Sequence, residues 1–324
     1  MEEIISFFQD KEWELVHSFE TDARQGLYKD YKNLELSEAS DAVLSSFEDG
    51  IYEHQWIAID KFKRGDNICI STSTSSGKTL IFNISAIEVL FRRPEAKILA
   101  IYPLKALGSE QEIRWKDVIL KSGLQYEVGR IDGAVAKSER DRIIKNSSIV
   151  IMTPDVIHAW LLSNLSHPSI TSFLKNISLL VIDEAHTYSG VFGSNSAYLY
   201  RRLLHLITIA GGNYQIIAAS ATIKSPSEHL TNLTGVEYTL IGNEHETSPK
   251  KKTNIFLVNP PKSNDFLTSI SNLLRHIVND TKYQFITFVD SRKQTEYIAS
   301  ISSRKNGSIR ISQRFSGLKA PDLR

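Results

Sequence analysis

The string STSTSSGKT from Ser71 to Thr79 follows an apolar run and opens a helical pattern. That is where a phosphate-binding loop belongs, since backbone N–H groups at a helix N-terminus point outward and the dipole favours an anion. Thr74, Ser75, Ser76, Gly77, Lys78, Thr79 and Leu80 would form the cradle. Lys78 would reach the outer phosphates and the Thr79 hydroxyl would coordinate magnesium. The string departs from the full phosphate-loop pattern, because Thr72 stands where the first glycine belongs and Ser73 and Ser75 replace common glycines. An ordinary helix N-cap with a surface lysine is the plain alternative. The string LLVIDEAH over residues 179–186 weighs against it. An apolar strand ends there in two carboxylates, Asp183 to hold magnesium through water and Glu184 to orient and deprotonate an attacking water. Phosphoryl transfer asks a protein mainly for positioning and charge neutralisation, which these groups supply. His186 would couple the site to its surroundings. Ser220 and Thr222, at another strand end, could hydrogen-bond the acids and relay their state. Tyr52 and Gln55 precede the first strand; a glutamine amide suits an adenine edge and a tyrosine ring can stack.

These residues need a scaffold that brings strand ends together. Apolar runs at residues 67–71, 97–102, 126–131, 148–152, 179–182 and 215–219 alternate with helical patterns, among them 77–91, 105–121 and 195–210. Such alternation predicts an α/β doubly wound parallel sheet with helices on both faces. Right-handed crossovers then put the functional loops at the carboxyl ends of the strands. Residues 1–50 read as a helical arm, 51–241 as the nucleotide-binding domain, 242–254 (GNEHETSPKKKTN) as a polar linker and 255–324 as the start of a second unit. In that second unit strands are expected at 255–258 and 285–289, and helices at 266–278 and 294–303.

Of 324 residues, 41% are hydrophobic and 23% charged, as in a soluble globular protein with a core, and no apolar run is long enough for a transmembrane helix. The acidic N-terminus is unlike a signal peptide. These features suggest a cytoplasmic protein with no membrane partner. The single cysteine, Cys69, excludes an intrachain disulfide and a four-cysteine metal site, and reads as a buried core residue. Residues 1–50 carry a net charge of −9, which leaves +10 on the other 274. A basic body can bind a polyanion and an acidic arm could compete for the same surface, although both also suit plain solvated faces. Trp56 and Trp160 fill core or interface space on this reading rather than stack on bases.

Taken in order, the motifs resemble a superfamily 2 helicase of the DEAD/DEAH-box type over roughly residues 45–324. The resemblance implies RecA-like architecture, with the start of a second RecA-like lobe after the linker. It implies ATP and Mg2+ as cofactors and a nucleic-acid partner. Tyr102-Pro-Leu-Lys-Ala-Leu107 looks like one backbone-gripping motif and Thr153-Pro-Asp155 like the next, so Pro103, Lys105, Gly133 and Thr153 are implied nucleic-acid contacts. The HTYSGVFG string from His186, and Ser248-Pro249 followed by Val258-Asn-Pro-Pro261, are similar to the YprA/MrfA group of DNA helicases, relatives of the eukaryotic Hrq helicases. That group implies translocation on single-stranded or partly duplex DNA, in DNA repair or antiviral defence. Phe288-Val-Asp-Ser-Arg292 and Phe315-Ser-Gly-Leu318 resemble the opening motifs of the second lobe, with no counterpart to the later ones. The resemblance therefore implies a chain that binds nucleotide better than it hydrolyses it, and leaves room for a protein partner supplying the missing motifs. A non-catalytic ATP- and nucleic-acid-binding module, and an RNA helicase of DEAD-box type, stay open as alternatives.

Overall fold

The computed structural model describes residues 2–221, 223–303, 314–315 and 318–319. By packing, the chain divides into Gln25–Pro249 and a second unit made of Met1–Arg24 with Lys250–Arg324. The larger unit holds a seven-stranded parallel sheet. Its strands are β1 (Ile68–Ser71), β2 (Lys97–Ile101), β3 (Glu127–Ile131), β4 (Ser147–Met152), β5 (Ile177–Ile182), β6 (Gln215–Ser220) and β7 (Thr239–Ile241). Their spatial order is β7-β1-β6-β5-β2-β4-β3. Among the described residues, its helices of seven residues or more are α1 (Glu38–Leu44), α2 (Glu53–Lys63), α3 (Lys78–Arg92), α4 (Lys105–Lys121), α5 (Lys137–Asn146), α6 (Pro168–Asn176), α7 (Gly190–Ile209) and α8 (Pro226–Thr234).

The strand side chains explain why both faces are covered. Ile68, Ile70, Ile98, Ala100, Leu179 and Val181 pack into one core with residues of α1 to α4. Their alternates Cys69, Leu99, Ile101, Leu180 and Ile182 pack into a second core with residues of α5 to α8. A strand apolar at every position can be buried only between two layers. Pairing of Ser71 with Ser220, and of Ile101 with both Ile182 and Met152, levels the carboxyl ends along one edge.

The smaller unit departs from its sequence reading. Glu14–Thr21, read by spacing as part of a helical arm, is a strand paired antiparallel with Thr253–Asn259; Glu2–Asp10 before it is a helix. Trp13, Val16 and Phe19 recur at roughly helical spacing, but three positions do not fix a period, and the partner strand lies more than 200 residues away in sequence, beyond any local pattern. The Glu20 carboxylate pairs with Lys252 at 2.7 Å, so the acidic segment meets the lysine run within its own ribbon. Phe7 stacks on His276 of the helix Phe266–Asp280 at 4.6 Å between ring centroids. A further helix runs over Arg292–Ser303. Residues 285–289 form no strand; Phe285, Ile286 and Phe288 are exposed, and no neighbouring strand among the described residues satisfies their backbone. Among the described residues no helix is long and apolar enough to cross a membrane.

Candidate active site

Four short segments meet where β1, β5 and β6 end. The first is the loop between β1 and α3. Gly77 takes the helix N-cap position at φ 83°, and Ser75 is also left-handed at φ 63°. A Cβ on Gly77 would lie 2.5 Å from Gln55 Nε2, so both conformation and space call for glycine there. The hydroxyls do what glycines cannot. Thr72 Oγ1 and Ser76 Oγ share a hydrogen bond of 2.7 Å across the loop. Lys78 Nζ donates to the carbonyls of Thr72 and Ser73 at 3.0 and 2.9 Å. Thr74 and Ser75 are exposed and Thr79 is half-buried, whereas the Leu80 side chain lies in the core and its amide donates to Gly77 O.

The second segment starts α2. Gln55 accepts from the Tyr52 amide through Oε1 at 3.0 Å and donates from Nε2 to Gly77 O at 2.9 Å. Its amide is thus shared between a helix cap and the phosphate loop. Sequence reasoning passed over His54, which is buried beside it and donates from Nε2 to Ser76 O at 3.0 Å. An "EHQ" string gives no sign of this, since the partner is 22 residues on. The Tyr52 ring lies between Tyr28 and His54, at 5.2 and 5.8 Å between centroids.

The third segment follows β5. Asp183 accepts from the Glu184 amide at 2.8 Å and donates its own amide to Ile101 O. Burial, then the neighbouring Glu184 charge, pushes the Asp183 carboxyl up to about 6. Burial lowers the Lys78 ammonium, against the opposing pull of Asp183, Glu184 and Glu246. Glu184 has a left-handed backbone at φ 51°, held by Thr187 donating from both its amide and its hydroxyl to Glu184 O. Such strain concentrates at functional positions.

The fourth segment follows β6. The link to His186 is made by Ala221, whose amide donates to His186 Nδ1 at 3.1 Å. That fixes Nδ1 as the acceptor nitrogen. Ser71 Oγ donates to Ala221 O at 3.4 Å, which ties the phosphate-loop strand to the same residue. The Ser220 hydroxyl is buried with no hydrogen-bond partner among the described residues, which do not include Thr222. His229 of α8 donates from Nε2 to Ala185 O at 3.0 Å, steadying the acidic motif from behind.

Among the described residues, no three His, Cys, Asp or Glu side chains cluster as metal ligands. A magnesium ion fits this arrangement all the same, because it takes one or two carboxylates plus phosphate oxygens and water rather than an all-protein cage. Asp183, half-buried and raised in pKa first by burial and then by the Glu184 charge, is the carboxylate that a cation would satisfy.

The other half of the same edge, after β2, β3 and β4, carries Pro103, Lys105, Gly133 and Thr153. Lys105 and Gly133 come together, since a Cβ on Gly133 would lie 2.9 Å from Lys105 Nζ, and both are exposed. Pro103 is half-buried. Thr153 is buried and its hydroxyl has no hydrogen-bond partner among the described residues. Trp56 and Trp160 face cations: Lys29 Nζ lies over Trp56 at 4.5 Å and the Arg140 guanidinium over Trp160 at 5.5 Å. Cys69 is fully buried in β1, as its setting in the sequence suggested.

Residues 52–230 match the DEAD/DEAH box helicase family. The chain is 37% identical over 239 residues to the ATP-dependent helicase HRQ1 of Saccharomyces cerevisiae, covering 71% of this chain and 22% of that protein. It is 31% identical over 259 residues to the ATP-dependent helicase YprA of Bacillus subtilis, covering 78% and 34%. The crystal structure of the DUF1998 helicase MrfA bound to DNA and AMPPNP superposes with a TM-score of 0.84 at 29% identity, over 94% of this chain and 42% of that one. The chain thus spans between about a fifth and two fifths of the length of these relatives.

Proposed function

This chain belongs to the DEAD/DEAH box helicase family, in the group of Hrq, YprA and MrfA, and from that premise we propose that it is the ATP-binding core of a DNA translocase. The observation that carries this reading is the meeting of Lys78, the Asp183–Glu184 pair and the His186–Ala221 bond at one sheet edge, with Lys105 and Gly133 further along it. The similar MrfA structure holds DNA and a nucleotide analogue together, which supports the same pairing of ligands here.

In this mechanism Lys78 Nζ leaves the Thr72 and Ser73 carbonyls for phosphate oxygens. Thr79 and Asp183 would hold magnesium, which would supply neutralisation of charge on the outer phosphates. Glu184 accepts a proton from the attacking water at a carboxylate oxygen. The Ala221 amide holds His186 by Nδ1, so a shift of the acidic motif is felt at the end of β6. Lys105 meets the phosphate backbone of a single strand or a single-strand–duplex junction, a grip that is salt-dependent and indifferent to sequence. This reading places the work in the cytoplasm, in repair of DNA or defence against phage, and a protein partner is dispensable only if the chain turns over alone.

The test is ATP hydrolysis with matched single-stranded DNA and RNA. Turnover stimulated by DNA and abolished by Glu184→Gln is expected. Stimulation by RNA alone would transfer the reading to an RNA helicase, because only RNA offers the 2′-hydroxyl. Nucleotide binding without turnover in either case would leave a non-catalytic module.

A further inference from the structure

The stretch 242–254 reads as a solvated linker, yet Glu246 within it is 3% exposed and Ser248 is 4% exposed. The short 3-10 turn Asn243–His245 delivers the Glu246 carboxylate to the phosphate loop. There Oε2 accepts from the Ser73 amide at 2.9 Å and Oε1 accepts from the Ser73 hydroxyl at 2.7 Å. Ser248 Oγ donates to Oε1 at 2.7 Å. A buried carboxylate is tolerated only when charge-assisted bonds of this kind satisfy it. Ser73 is gripped from two sides, because Lys78 holds its carbonyl while Glu246 holds its N–H and hydroxyl.

We propose that Glu246 is a positioning residue for nucleotide binding, a clamp on the first turn of the phosphate loop that works through Ser73. A glycine at position 73 would give the carboxylate one donor; serine gives it two, which accounts for a serine where such loops often carry glycine. The clamp has its use when Lys78 turns to the phosphates. Ser73 then loses the bond to its carbonyl, and the Glu246 carboxylate keeps the loop in place. The clamp also ties the loop to the last residues of the larger unit, three positions before Pro249 closes it. This inference rests on the ATP-site reading above.

The experiment measures the affinity of the full chain for a fluorescent ATP analogue with magnesium. The variants are Glu246→Gln, Ser73→Ala, the two combined, and Lys78→Ala, each with its nucleotide-free thermal midpoint. Glutamine keeps the shape of glutamate but turns an NH2 group toward one of the Ser73 donors. Loss of a charge-assisted bond is worth about tenfold or more in an equilibrium constant. Glu246→Gln and Ser73→Ala should each weaken binding by about tenfold, and the double variant by no more than the worse single one. A general loss of stability would not produce that non-additivity in affinity. Unchanged affinity in Glu246→Gln, or losses that multiply in the double variant, would overturn the clamp. If Glu246→Gln fails to fold, Ser73→Ala decides by itself, since the clamp requires its tenfold loss. A Lys78→Ala variant that binds as well as the parent would instead sink the ATP-site reading, a distinct failure.

Discussion

Gly77→Ala tests the architecture of the phosphate loop most sharply. An alanine at φ 83° meets the left-handed penalty of about 1–2 kcal/mol for an L-residue. Its Cβ would also stand 2.5 Å from Gln55 Nε2. Gln55 cannot swing aside freely, because its amide is pinned at both ends, to the Tyr52 amide and to Gly77 O. Displacing it gives up two hydrogen bonds, each worth about 1 kcal/mol. The local cost is therefore about 3–4 kcal/mol, a large share of the roughly 5–15 kcal/mol that stabilises a typical domain. Denaturant unfolding of four proteins measures it: the parent, Gly77→Ala, Gln55→Ala and the double variant. In the double variant the clash is gone and the two bonds are already lost, so Gly77→Ala should cost only its backbone penalty. The expected coupling is about 2 kcal/mol, well above the scatter of about 0.3–0.5 kcal/mol seen for independent sites. Additive costs would show that Gln55 does not occupy the space against Gly77, and the account of both residues would fail.

Other outcomes follow from the same geometry. Asp183 titrates near 6 in the folded chain against 3.8 for an ordinary aspartate, so the folded state binds its proton more tightly. The sign is then fixed: this carboxyl's contribution to stability is greatest below about pH 4 and is lost as pH rises through about 6, and Asp183→Asn should remove that slope from unfolding measured across the range. Magnesium-dependent nucleotide binding, which needs the carboxylate ionised, should weaken by up to tenfold per unit below about pH 6. Burial pushes the Cys69 thiol up to about 12, so alkylation at pH 8 should proceed only as the chain unfolds, with a rate that rises with denaturant. Lys105→Ala should weaken single-strand binding alike for all sequences and lower the slope of log affinity against log salt by about 0.7; an unchanged slope would remove Lys105 from the grip.

What could be read from the sequence was what is local. Most of the strands β1 to β6 stood out because a parallel strand buried on both faces is a continuous apolar run, as Ile177–Ile182 is, while β3, an edge strand carrying Glu127 and Arg130, is less regular. β7, with three residues, was too short to register. The loop and the Asp183–Glu184 pair were legible because their spacing to a strand end is fixed by the chain itself. His54, Ala221 and Glu246 were not, because each acts on a partner distant in sequence; Glu246 lies 173 residues from Ser73, inside a stretch whose composition is that of a linker. Ser220 was read as the relay on its hydroxyl, whereas the bond that joins β6 to the acidic motif comes from the backbone of Ala221, which any residue type supplies. Glu14–Thr21 misled for the converse reason, since its conformation is dictated by a strand from the other end of the chain.

The central claim is that the turn around Lys78 binds the phosphates of ATP beside Asp183. Equilibrium titration of the chain with a fluorescent ATP analogue, with and without magnesium, tests it directly when the parent and Lys78→Ala are compared. Saturable, magnesium-dependent binding lost by at least about tenfold in the variant is the predicted result. Equal binding by the two proteins, or binding indifferent to magnesium, would contradict it.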